Sequence, residues 1–210
     1  MMAGPSTAPG RIARVHRLPM ASPDDTRAIE REIAQGRLDP AAVVAVLGKT
    51  EGNGCVNDFT RGYAVQSLRM MFARHLADDA VSRICLVMSG GTEGGLSPHW
   101  LVFEVVETAE APRSGGALAL GHAITRPLVS TELGRMAQVH LVADAVRAAM
   151  AGAGIADADD VHFVQVKCPL LTAERIAAAG GPEAVATADT LKSMGLSRGA
   201  SALGIGLALG

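Results

Sequence analysis

At 210 residues, 49% hydrophobic and 19% charged, the chain can bury a substantial core and is too apolar to be intrinsically disordered. A formal net charge of −2 and 3% aromatic residues exclude a dedicated nucleic-acid binder, which carries a basic excess or stacking rings. The three cysteines, Cys55, Cys85 and Cys168, form no Cys-x-x-Cys, and no apolar run is long enough for a membrane span or a secretory leader, so a cytoplasmic α/β protein is expected.

Residues 1–10, rich in small residues and proline, are expected to fray. Residues 11–18, RIARVHRL, alternate as a half-buried strand does. Ser22-Pro23-Asp24-Asp25 reads as a helix start with a cap, a proline and early acids, and Gly36 as its end. A buried strand is expected over 42–48, ending at Lys49. The loop TEGNGCVNDFT follows, and Arg61 opens a helix over 62–77 with Val65, Leu68, Met71, Phe72 and Leu76 at helical spacing. Residues 83–88 form a strand running into Ser89-Gly90-Gly91-Thr92-Glu93-Gly94-Gly95, and 99–107 another.

A first unit is thus expected over 1–107, a linker over 108–116 and a second unit over 117–210. In the second, strands are expected at 117–125 and 161–166, the latter ending at Lys167. Helices are expected at 134–151, 173–179 and 198–209, the last opening at Arg198. Both units then run strand, helix, strand ending in lysine, loop, and an Arg-Gly that opens a helix, which is an internal repeat. Lys49 precedes Arg61 by 12 residues and Lys167 precedes Arg198 by 31, so the second copy carries a longer insert.

Either lysine alone reads as well as a solvated surface residue; their equivalent placement favours a role as general base. An arginine at a helix start opposes the dipole, but its planar fork suits carbonyl or carboxylate oxygens. Four glycines between Ser89 and Gly95 let the backbone approach a ligand and aim N–H groups at it. Gly195-Leu196-Ser197-Arg198-Gly199 matches G-x-S-x-G and is rejected as a nucleophile elbow, because what precedes it is helical and too little chain follows for an acid and a histidine. His99 and Trp100 read as strand capping and packing, and Asp157, Asp159 and Asp160 as a solvated turn. Cys168 reads as a small buried hydrophobe.

The segments GKTEGNGCVNDFTRGYA, VMSGGTEGGLSPHW, VQVKCPLLT and SMGLSRGASALGIGLALG resemble the ring-opening amidohydrolases, the cyanuric acid hydrolases and barbiturases, in their N-terminal part. The resemblance implies an α/β fold of three similar repeats about a pseudo-threefold axis, with a flat cyclic imide bound on that axis. Of these, one repeat and most of a second are present. The resemblance implies that Arg61 and the Ser89-Gly90 backbone bind substrate from the first repeat and Arg198 from the second. It implies that Lys167 is the catalytic lysine, partnered by a serine of the second repeat. Lys49 is a secondary candidate. It implies no cofactor for the chemistry, a structural magnesium in the third repeat, no metal on these residues, and a homo-oligomer, a tetramer by resemblance; composition and hydropathy already argue against a nucleic-acid or membrane partner.

Ser89 lies 28 residues past Arg61, and a counterpart equally far past Arg198 would fall beyond Gly210. The expected activity is therefore cyclic amide hydrolysis, of cyanuric acid before barbituric acid, with the nucleophilic serine outside the chain. A substrate-binding or assembly fragment without turnover is the alternative of a different class.

Overall fold

The structure is a computed structural model that describes residues 10–91, 95–108 and 118–210. The fraying expected for residues 1–9, the linker over 109–116 and the middle of the glycine-rich loop, 92–94, lie outside the described residues. The chain divides into two units, Met1–Ala119 and Leu120–Gly210.

The first unit is a four-stranded mixed sheet ordered β1-β4-β2-β3 with helices against it. Strand β1 (Gly10–Pro19) pairs antiparallel with β4 (His99–Thr108), and β4 pairs antiparallel with β2 (Val43–Lys49). Strands β2 and β3 (Cys85–Ser89) are parallel, so a crossover must join them. It runs through α2 (Phe59–Phe72) and the short α3 (Asp78–Arg83). Helix α1 (Arg27–Ala34) follows β1.

Gly10 belongs to β1 rather than to a frayed end. Ser22 does not cap a helix: its hydroxyl donates to Asp24, and α1 begins at Arg27. The segment before it is held otherwise. Asp25 binds the Arg27 guanidinium in a fork at 2.7 and 3.0 Å, which together with the Ala21 N–H pulls its carboxyl down to about 2 despite partial burial. The Asp25 carbonyl accepts from the Trp100 indole N–H at 2.9 Å.

One face of the sheet packs onto the helices. Trp100, Phe72, Leu68, Ile29, Val46 and Val102 are fully buried there. The other face, carrying Ala45, Leu47, Val87, Leu101 and Phe103, is half-buried. The period of two puts the strand-end residues Lys49, Ser89 and His99 on this second face.

The second unit is helical. Helix α4 (Met136–Ala153) packs along α6 (Thr190–Leu209), with the short α5 (Ala173–Ala178) between them in sequence. Leu133, Leu171, Ile176 and Val185 form a small core of their own. The strands expected at 117–125 and 161–166 are not formed among the described residues of this unit. An alternating or apolar run becomes a strand only when a neighbour supplies the ladder, and neither segment forms one here. The strand-helix-strand pattern expected for this unit is therefore seen only in its helices.

Helix α6 begins at Thr190 under an Asp189 cap, eight residues before Arg198. Arg198 is thus inside a helix, not at its start, and the dipole objection to a cation there lapses. The G-x-S-x-G segment is also interior to α6. Ser197 is fully buried, and its hydroxyl accepts from the Gln138 amide at 2.9 Å. No helix among the described residues is long and apolar enough to cross a membrane.

Candidate active site

The C-terminal ends of parallel strands are where open α/β sheets place ligands, because the following loops diverge there. In the first unit β2 and β3 end side by side, with Lys49 opposite Ser89 in register. On the other flank of β2, Lys49 is opposite His99, the first residue of β4. Three polar residues from three strands therefore share one level at the rim of the half-buried face.

The Lys49 ammonium donates to the Ser89 hydroxyl at 3.1 Å. That separation is within reach for proton transfer between an amine and a hydroxyl. The His99 ring nitrogen Nδ1 lies 2.7 Å from the Ser97 carbonyl. Because a carbonyl only accepts, Nδ1 is the donor in this contact.

Just past the strands the two loops are tied together. The Thr50 N–H donates to the Ser89 carbonyl at 2.9 Å, and the Thr50 hydroxyl bonds that of Thr60 at 2.9 Å. Asp58 caps α2: its Oδ1 accepts from the Thr60 N–H at 3.0 Å and from the Thr60 hydroxyl. Its Oδ2 accepts from the Gly54 N–H at 2.8 Å. Burial opposes the charge on Asp58, but these hydrogen bonds, helped by the nearby Arg61, outweigh it and hold the carboxyl below its usual range.

Arg61, in the first turn of α2, is half-buried and donates through Nη2 to the Cys55 carbonyl. Its guanidinium thus leans over the 52–57 loop. Glu51, just ahead of that loop, has a φ of 57° in the left-handed region, and Gly54 within it is at 70°. A Cβ on Gly54 would lie 3.3 Å from the Gly91 nitrogen, so the two loops run close together.

The sequence residues Lys49, Ser89 and Gly90 come together, and Arg61 is fastened to the same loop system. Lys167 and Arg198 belong to the second unit, and both are exposed. Lys167 does not close a strand as expected, since 161–166 is not one. Among the described residues no three His, Cys, Asp or Glu side chains gather in a group that could hold a metal ion.

Sequence reasoning overlooked Asp58, Thr50 and Thr60. An aspartate one residue before Phe-Thr-Arg is a strong N-cap signal and could have been read. Nothing local could have paired it with Gly90, which is 32 positions away. His99, read as packing, shares the rim with Lys49. Trp100, also read as packing, is fully buried and does pack.

The model of the amidohydrolase ring-opening proteins matches residues 14–210. The chain belongs to that family. It is 65% identical over 205 residues to a cyanuric acid amidohydrolase of Bradyrhizobium sp. (strain ORS 375), covering 95% of this chain and 55% of the relative. Among solved structures it resembles the cyanuric acid hydrolase from A. caulinodans, with a TM-score of 0.86 and 60% identity over 95% of this chain and 56% of that one. A second cyanuric acid hydrolase, described as an evolutionary innovation by structural concatenation, matches with a TM-score of 0.89 and 52% identity over the same shares. The chain spans about half the length of the curated relatives it matches.

Proposed function

We propose that the protein carrying this chain hydrolytically opens a cyclic amide ring, that of cyanuric acid. The observation that carries this is membership of the ring-opening family over residues 14–210, with relatives named for cyanuric acid. The rim geometry of the first unit supports it. A flat ring of alternating C=O and N–H needs fixed donors for its carbonyls, and Arg61 and the Ser89-Gly90 backbone supply that kind of donor.

In this reading Arg61 and Ser89-Gly90 bind the ring from the first repeat and Arg198 from the second. Neutral Lys167 takes the proton of a serine that lies outside the chain. The serine oxygen attacks a ring carbonyl, the ring C–N bond breaks, and the departing nitrogen receives the proton, which leaves an acyl-enzyme. Water then adds to the acyl carbon and releases the serine. The arginines and backbone N–H groups hold the carbonyl oxygen while it carries negative charge. These bond changes need only side chains and water.

The chain is read as one repeat, 1–107, a linker, 108–116, and most of a second, 117–210, of a three-repeat fold. The whole protein is read as a cytoplasmic homo-oligomer, a tetramer by the family resemblance.

The Lys49–Ser89 hydrogen bond favours a second reading in which the first repeat attacks. Replacing each lysine by alanine in the full-length protein separates the two. Lys167→Ala is expected to lower kcat for cyanuric acid on the order of 10²-fold or more, the usual scale of a lost general base. Lys49→Ala is expected to do less. Turnover abolished by Lys49→Ala and spared by Lys167→Ala would assign attack to the first repeat.

A further inference from the structure

We propose that Asp58 is a positioning residue that sets Arg61 and the Ser89-Gly90 backbone in one frame for substrate, so that its role exceeds that of a helix cap. The inference rests on the reading that these groups bind the ring.

Three observations converge on this carboxylate. It is 93% buried by surface area, since only 7% of the residue is exposed. Each oxygen serves a different segment. Oδ1 holds the first turn of α2 through Thr60, three residues into which Arg61 stands, while Oδ2 holds the 52–57 loop through the Gly54 N–H. The Cys55 carbonyl that receives Arg61 is the next residue along that loop.

Two glycines from separate loops also back onto it. A Cβ on Gly52 would overlap Oδ1 and the Thr60 hydroxyl, and a Cβ on Gly90 would overlap Oδ2. Glycine at these two places lets both loops close on the carboxylate. Thr60 carries the link onward, because its hydroxyl meets that of Thr50, whose N–H holds the Ser89 carbonyl. One side chain thus fixes the helix turn of Arg61, the loop it bonds and the backbone on which Ser89 and Gly90 sit. A cap alone needs only the Thr60 contact.

The test uses the full-length protein with cyanuric acid as the probe, and the variants Asp58→Ser and Asp58→Asn. Serine and asparagine are both good N-caps, so α2 retains its start. Serine is too short to reach the Gly54 N–H. Asparagine keeps the shape but presents an amide where one oxygen accepted. KM is expected to rise roughly three- to tenfold, the scale of one lost buried hydrogen bond. The expected kcat stays within about twofold, because the first repeat binds rather than attacks.

A coupling measurement adds a readout that capping would not move. Gly90→Ala should raise KM strongly beside Asp58, whose Oδ2 it overlaps, and less in the Asp58→Ser background, where that overlap is gone and the Gly54 nitrogen, 2.9 Å from the added Cβ, is what remains in the way. Wild-type KM in both Asp58 variants, or equal effects of Gly90→Ala in the two backgrounds, overturns the inference and leaves the functional reading standing. No turnover of cyclic amides by the wild-type protein overturns that reading and the inference with it.

Discussion

Arg61 shows how one residue type narrows the chemistry. Its guanidinium leans on the Cys55 carbonyl through Nη2, which uses one donor of its fork, and the substrate contact proposed above calls on the others. A lysine could reach the same carbonyl as a point charge but could not present a planar pair of donors. Arg61→Lys in the full-length protein is therefore expected to raise the KM for cyanuric acid by about tenfold or more, the scale of a lost charge-assisted hydrogen bond. Stability should change by less than about 0.5 kcal/mol, because no core contact is lost. Substrate affinity equal to wild type would return Arg61 to the status of a surface helix residue.

At the scale of elements, the pair α4 and α6 is held by a buried polar clasp. Gln138 is fully enclosed, and its amide donates to the Ser197 carbonyl at 3.1 Å, the Ser197 hydroxyl at 2.9 Å and the Ser201 hydroxyl at 3.1 Å. Its oxygen accepts from the Gly134 N–H at 2.7 Å, just ahead of α4. The clasp faces one side of the helix that carries Arg198, so it fixes the rotation of α6. Gln138→Ala is expected to lower stability by about 1–3 kcal/mol, since it strands buried polar groups on both helices. Thermal unfolding of the full-length protein measures this, and an unchanged melting temperature would show that water or a shift of α6 satisfies the stranded groups.

At the scale of the whole molecule, substrate choice is the property most in need of measurement. Cyanuric and barbituric acids are both flat rings with C=O and N–H on their edges, and the donors proposed here suit the carbonyls of either. The relatives matched are named for cyanuric acid, which sets the expected preference. Competition between the two substrates on the full-length protein should give the higher kcat/KM to cyanuric acid. A clear preference for barbiturate would keep the ring-opening chemistry and reverse the substrate.

The amino-acid sequence by itself determined the first unit well, because its signals are local. The apolar runs before Lys49 and Ser89 became β2 and β3, and the spacing of Leu68, Met71 and Phe72 became the buried side of α2. The residues proposed for the site, Lys49, Arg61, Ser89 and Gly90, stood out for their chemistry at the ends of those elements. Tertiary structure alone decided that Lys49 meets Ser89 on one side and His99 on the other, because strand order and register are set by partners 40 and 50 residues away. It decided that Asp58 joins two loops, since Gly90 reaches it only after the crossover is complete. It also decided that residues 161–166 do not form a strand. Their pattern suits a strand, but a ladder is a property of two segments, and one segment's sequence records only half of it.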